Sequence, residues 1–340
     1  MNGSTVLHYK VLKKIRIKMI FKGLFMKTYN LKLIVLAILT MVFLNGCESN
    51  NLSPKEGYIN VTGGKVWYKI VGDGNKTPLV LLHGGPGVPS YYLNPMTSLA
   101  DERPVIFIDQ LGCGRSNRIT DTTLMTINSY VNELKEIRDS LALKDFYLFG
   151  HSWGSILAVE YYLVHPEGVK ALILSGPALD IHRWSKDADT LIATLPDSLQ
   201  RAIRENEKNG TFDTPEYQAA VGYYYTLYLS RKEPWSADLD SAFSQAGENV
   251  YLYMDGPSEF TLTGSLRDYN ATGKLQNVKV PSLFIGGEYD EARPSTVKYY
   301  SSLVPNSEVV IIPNAGHVSM IDNPDANDTA IRSFLHKIDD

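Results

Sequence analysis

Apolar and polar positions change rhythm along the chain, and the changes mark out its elements. From Gly57 to Val71 they alternate in two runs, Tyr58-Ile59-Asn60-Val61 and Lys65-Val66-Trp67-Tyr68-Lys69-Ile70, joined through Gly63-Gly64. A period of two interrupted by a glycine pair predicts an antiparallel hairpin at a sheet edge. Further on come short runs that are almost wholly apolar: Pro78 to Leu82, Pro104 to Ile108, Phe146 to Phe149, Val169 to Leu174, Val280 to Ile285 and, last, Glu308 to Ile312. Such runs fit strands covered on both faces. Between them the period lengthens. Ile127, Val131, Leu134 and Leu141 fall at helical spacing within Thr126 to Ala142, with Glu133, Lys135, Glu136 and Arg138 expected on the water side. Helices are also expected over Ser155 to Val164, Pro294 to Leu303 and Pro324 to Ile338.

Strand and helix signals that alternate in this way predict an α/β fold, a mostly parallel sheet with helices on both faces. The alternation stops between residues 178 and 276, where aromatic and polar residues mix at helical spacing. That segment is expected to be a mainly helical cap inserted between core segments 57–177 and 277–340. It holds Tyr217, Tyr223, Tyr224, Tyr225, Tyr228, Trp235, Tyr251 and Tyr253, most of them expected in packing and the rest along a pocket.

The first residues follow a different logic. No acidic residue precedes Glu48, while Lys10, Lys13, Lys14, Arg16, Lys18, Lys22, Lys27 and Lys32 lead into the apolar run Leu33 to Leu44. At about twelve residues this run is short for a hydrocarbon core of roughly 30 Å, which favours a signal peptide over residues 1–46. Leu44-Asn45-Gly46-Cys47 resembles a bacterial lipobox, so Cys47 is expected to be lipidated and residues 47–56 to tether the domain to a membrane on the extracytoplasmic side. Met26 would by itself begin a compact signal peptide, which makes residues 1–25 a candidate upstream extension. An uncleaved N-terminal anchor is the alternative.

Composition narrows the functional classes. With 340 residues, 44% hydrophobic and 21% charged, the chain sustains a large core and excludes disorder throughout. A net charge of -4, with no basic patch after Cys47, argues against nucleic acid. Cys47 and Cys113 have neither zinc-site nor disulfide-framework spacing. No metal or other cofactor is expected.

The chemistry gathers where predicted strands end. Gly150-His151-Ser152-Trp153-Gly154 lies between a strand and a helix, as a nucleophile elbow does, which strains the serine backbone and lifts its hydroxyl clear of the sheet. A serine becomes nucleophilic when an imidazole takes its proton and a carboxylate orients that imidazole. Asp290 and His317 follow later strands in the order Ser, Asp, His of α/β-hydrolases, giving the triad Ser152, Asp290 and His317. The loop His83-Gly84-Gly85-Pro86-Gly87 and the residue after the nucleophile supply the expected oxyanion donors, the N–H groups of Gly85 and Trp153.

With Asp109-Gln110-Leu111-Gly112-Cys113-Gly114-Arg115-Ser116, Gly287-Glu288-Tyr289-Asp290-Glu291 and Gly316-His317, these motifs resemble the proline iminopeptidase group of α/β-hydrolases, including the tricorn-interacting aminopeptidases. The resemblance runs from about Gly57 to the end, and the His83 to Gly87 stretch is its most specific part. His151 departs from it, since many members carry glycine or serine there. The resemblance implies an α/β-hydrolase fold and a metal-independent serine aminopeptidase acting on short peptides through an acyl-enzyme. It also implies that Glu291 and Glu259, the latter in Asp255-Gly256-Pro257-Ser258-Glu259-Phe260, hold the peptide's amino terminus. Proline preference follows from the group alone. A carboxylesterase or lactonase with the same triad and a ligand-binding surface lipoprotein without turnover are the alternatives. Oligomeric state is left open.

Overall fold

The computed structural model of the chain describes residues 52–339. Cys47, the expected signal segment and the first part of the tether lie outside the described residues. Eight strands form one sheet: β1 (Lys55–Val61), β2 (Gly64–Val71), β3 (Leu79–Leu82), β4 (Val105–Asp109), β5 (Phe146–His151), β6 (Val169–Ser175), β7 (Ser282–Gly287) and β8 (Ser307–Ile312). Their spatial order is β1-β2-β4-β3-β5-β6-β7-β8. The β1–β2 hairpin joins antiparallel to β4, and every pairing from β4 to β8 is parallel.

The apolar runs occupy the middle of the sheet because both of its faces are covered. Val80, Leu82, Ile106, Ile108, Leu148, Leu172 and Leu174 belong to one core, which includes residues of α1 (Ile127–Ser140) and α2 (Trp153–Val164). Their strand neighbours Leu79, Leu81, Val105, Phe107, Phe149 and Ile173 belong to the opposite core. That second layer contains a 3₁₀ helix, Ser90–Asp101, and the last helix, Pro324–Asp339. A strand's period of two therefore divides one apolar run between two cores.

Five helices fall between β6 and β7: α3 (Ile181–Ile192), α4 (Asp197–Asn209), α5 (Pro215–Tyr228), α6 (Ala237–Ser244) and α7 (Glu248–Met254). They carry a small core of their own, built from Ile192, Leu195, Ile203, Ala220, Tyr224 and Tyr228. After β7 come α8 (Pro294–Ser302), α9 (Ser319–Asp322) and α10 (Pro324–Asp339). Among the described residues no helix is long and apolar enough to cross a membrane.

Three local differences from the sequence reading have physical causes. β7 begins at Ser282 and runs on through Gly286 and Gly287, which pair with Ile311 and Ile312. Pro281 lacks the N–H a ladder needs, and the glycines read as a turn although they continue the strand. The 3₁₀ helix over Ser90–Asp101 was not foreseen, since Pro95 interrupts the α-period inside it. Glu133 is not on the water side of α1: it is buried and accepts the Leu111 N–H on both oxygens, at 3.3 and 3.2 Å. Burial pushes its carboxyl up to about 8.

Candidate active site

The loops that follow β3, β4, β5, β7 and β8 leave the C-terminal edge of the sheet, where open α/β sheets place their sites. Ser152 sits between β5 and α2 with φ 54° and ψ −120°, a conformation that costs on the order of 1–3 kcal/mol for a residue with a side chain. The close turn explains its neighbours. A Cβ on Gly150 would stand 2.2 Å from the Gly154 carbonyl oxygen, and one on Gly154 would stand 2.2 Å from that of Leu82. The Ser152 N–H donates to the Ser175 carbonyl at 2.9 Å, which pins the elbow to β6.

His317 Nδ1 lies 2.7 Å from Asp290 Oδ1. The same carboxylate accepts the Gly287 N–H at 3.0 Å and the Ala292 N–H at 2.8 Å, so three donors fix its orientation. Asp290 and His317 are 1% and 5% exposed, and His317 opens onto the same cavity as Ser152. The cap also holds the histidine loop: the His317 N–H donates to the Tyr228 carbonyl at 2.8 Å and the Val318 N–H to the Leu229 carbonyl at 3.0 Å.

Gly85 and Trp153 flank Ser152 in the wall of a small side recess. Trp153 opens α2, and the first amides of a helix have no intrahelical acceptor, so its N–H is available beside the nucleophile. Gly85 has φ 101°, where a side chain would be strained. One buried amide side chain joins the two segments: Gln110 Nε2 donates to the His83 carbonyl at 3.1 Å, and the Trp153 indole N–H donates to Gln110 Oε1 at 2.8 Å.

The rest of the Asp109 to Ser116 motif is architectural. Arg115 lies 3.3 Å from the Trp67 ring centroid and 4.1 Å from that of Tyr91, and it bonds both oxygens of Asp109. Cys113 is buried beside His83, and burial pushes its thiol well up, which makes it an inert packing residue.

The cavity above Ser152 measures about 440 Å³. Glu259 and Glu291 both line it. Glu291 is 3% exposed, and its Oε1 has no hydrogen-bond partner. Glu259 accepts a long hydrogen bond from the Tyr251 hydroxyl at 3.4 Å. Burial raises both carboxyls above their ordinary range, and Glu291 is raised further by the charges of Glu259 and Asp290. Asp255, in the side recess with Glu259, is raised by burial and by Glu259. Among the described residues no lysine or arginine lines the cavity. Acids that are crowded together, desolvated and partly unpartnered are what a cationic group would relieve.

Of the cap aromatics, Tyr217, Tyr225 and Tyr251 line the cavity, Tyr224 and Tyr228 pack in the cap core, and Tyr223 and Tyr253 are exposed. Sequence reasoning missed Glu207. It accepts the hydroxyls of Tyr217, Ser258 and Thr261, and so fastens both sides of Glu259 to α4 and α5. It also missed Tyr92, which bonds Gly84 and His151. Among the described residues no group of His, Cys, Asp or Glu is arranged to hold a metal ion.

Comparison with known proteins agrees with this architecture. The sequence model of the alpha/beta hydrolase fold family matches residues 77–324. A proline iminopeptidase of Heyndrickxia coagulans is 40% identical over 287 residues, covering 83% of this chain and 99% of that protein. One from Thermoplasma volcanium is 34% identical, covering 83% of this chain and 97% of its own length. Among solved structures, proline iminopeptidase from Mycobacterium smegmatis superposes with a TM-score of 0.79 at 29% identity, over 84% of this chain and 99% of that one.

Proposed function

The chain belongs to the proline iminopeptidase family of α/β-hydrolases, and on that premise we propose that it is a serine aminopeptidase releasing the first residue, proline or another small apolar one, from short peptides and amino-acid amides. The observation that carries this is the pair Glu259 and Glu291, with an orphaned oxygen on Glu291, in the same cavity as Ser152. A peptide ammonium between them would donate to both carboxyls and offset the charge they share, placing the first carbonyl, one residue away, at the nucleophile. An ester without an amine offers these acids nothing.

The reading assigns these residues the following steps. Ser152 Oγ attacks the carbonyl carbon while His317 Nε2 takes its proton, and Asp290, on Nδ1, stabilises the imidazolium. The Gly85 and Trp153 N–H groups receive the oxyanion. Collapse breaks the C–N bond, the proton passes from His317 to the leaving amine, and an acyl-enzyme remains on Ser152. Water, deprotonated by His317, then releases the amino acid and restores the serine.

The test compares proline, alanine and leucine aryl amides with an acetyl-blocked amide and a simple aryl ester. Ser152→Ala is expected to lose activity by about 10⁴-fold or more, and Glu291→Gln to raise KM for free-amine substrates at least about tenfold. Blocked amides cleaved as fast as free ones would refute the aminopeptidase reading.

We also propose that Cys47 is lipidated and holds the enzyme at the outer side of a membrane, a reading supported by the basic stretch, the apolar run and Leu44-Asn45-Gly46-Cys47. Mass spectrometry of the mature protein tests it: a chain that begins at an unmodified Met1 or Met26 would sink it.

A further inference from the structure

We propose that Tyr92 and His151 form a hydrogen-bonded strut that sets the distance between the oxyanion loop and the catalytic histidine; the proposal rests on the serine-hydrolase reading of Ser152 and not on the identity of the substrate. The strut has three links. The Gly84 N–H donates to the Tyr92 hydroxyl oxygen at 2.7 Å. Tyr92 Oη lies 2.8 Å from His151 Nδ1. His151 Nε2 lies 3.0 Å from the His317 carbonyl oxygen.

The donor inventory gives these links one direction. A carbonyl only accepts, so His151 must carry its proton on Nε2 and donate to His317. Its Nδ1 is then the acceptor, and the single Tyr92 proton points at it. The tyrosine oxygen in turn takes the Gly84 amide. Tyr92 and His151 are each 2% exposed. Burial, with His317 close by, holds the His151 imidazole neutral, well below its ordinary pKa. Its ring also packs at 4.5 Å from the His317 ring and 5.2 Å from the Tyr92 ring.

What the strut joins gives it its significance. Gly84 immediately precedes the oxyanion donor Gly85, and a Cβ on Gly84 would stand 3.0 Å from Ser152 Cβ. His151 immediately precedes the nucleophile, and the third link ends on the backbone of the base. A Gly84 amide without its acceptor would be free to turn toward another, carrying Gly85 with it. Tyr92 and His151 are positioning residues: they act through Gly85 and His317.

The experiment uses the full chain with Tyr92→Phe, which keeps the ring and removes the hydroxyl, and His151→Gln, whose amide can still donate to the His317 carbonyl. Five quantities are measured: kcat and KM on a proline aryl amide, the rate of Ser152 inactivation by a fluorophosphonate, inhibition by L-prolinol, which carries the amine but no carbonyl, and the unfolding midpoint. Tyr92→Phe is expected to lower kcat and the inactivation rate about tenfold each, while KM and prolinol affinity stay within about twofold. His151→Gln is expected to lose about threefold in both rates, and decides alone if Tyr92→Phe does not fold. Unchanged rates in the folded variants, or rates, KM and prolinol affinity worsening together with the unfolding midpoint, would overturn the strut. If the aryl amide is not turned over by the parent protein, the aminopeptidase reading fails and the fluorophosphonate rates still judge the strut.

Discussion

Replacing Glu133 with glutamine should make the protein more stable, and increasingly so as pH rises. Glu133 is buried in α1 against the loop after β4, its carboxyl pushed up to about 8 from an ordinary 4.5, chiefly by burial. The folded state therefore holds a proton that the unfolded chain releases between those values. Stability then falls as pH climbs through that window and levels off above the folded value. At 1.36 kcal/mol per unit, the cost is about 3 kcal/mol at pH 7 and approaches about 5 kcal/mol above pH 8. Glutamine has no proton to hold, and its carbonyl can accept the Leu111 N–H that Glu133 accepts now at 3.2 Å. Urea unfolding of both proteins at pH 5, 7 and 8.5 isolates the effect, because titrating groups that do not interact with Glu133 cancel in the difference. The advantage of Glu133→Gln should grow by about 4 kcal/mol from the lowest pH to the highest. A difference that does not change with pH would show that Glu133 titrates normally, and refute the reasoning.

Two further outcomes follow from the site. Arg115→Ala leaves Asp109 buried without its cation and removes the plate between Trp67 and Tyr91, so it should cost about 3–5 kcal/mol in chemical unfolding. Because Glu259 and Glu291 titrate above the ordinary carboxylate range, kcat/KM for a free-amine aryl amide should fall on the acid side at higher pH than for an aryl ester without an amine; superimposed acid limbs would remove the clamp.

The sequence made the sheet and the grouping of Ser152, Asp290 and His317 visible because their signals are local. Apolar runs such as Pro104 to Ile108 are strands by composition alone, and Ser152, Asp290 and His317 each stand in the turn or loop that follows one, so no long-range knowledge was needed to collect them at one edge. The supporting polar residues were hidden for the opposite reason. Tyr92 meets His151 across 59 residues and His151 meets His317 across 166, and no periodicity records a partner at such a distance. Glu133 misled because a charge at helical spacing ordinarily marks the wet face, whereas here it meets a backbone amide of the loop after β4. Glu207 stood in a polar stretch, Arg204 to Asn209, with nothing local to separate it from its neighbours.

The cap does more than cover the cavity. Tyr228 and Leu229, at the end of α5, accept the N–H groups of His317 and Val318, so the position of the base depends on the cap. Tyr217, on the same helix, shares Glu207 with Ser258 and Thr261, which bracket Glu259. One helix thus braces both His317 and the segment that carries Glu259, the proposed base and one half of the proposed amine clamp, while Glu291 directly follows Asp290 in the chain. A substrate whose amine is held by these acids has its carbonyl carbon set at a fixed distance from Ser152 and His317, and a cap that shifted would move Glu259 and the base together. An enzyme that removes a single residue needs that distance to be constant more than it needs an enclosed pocket, and the hydrogen bonds of α5 hold both ends of it.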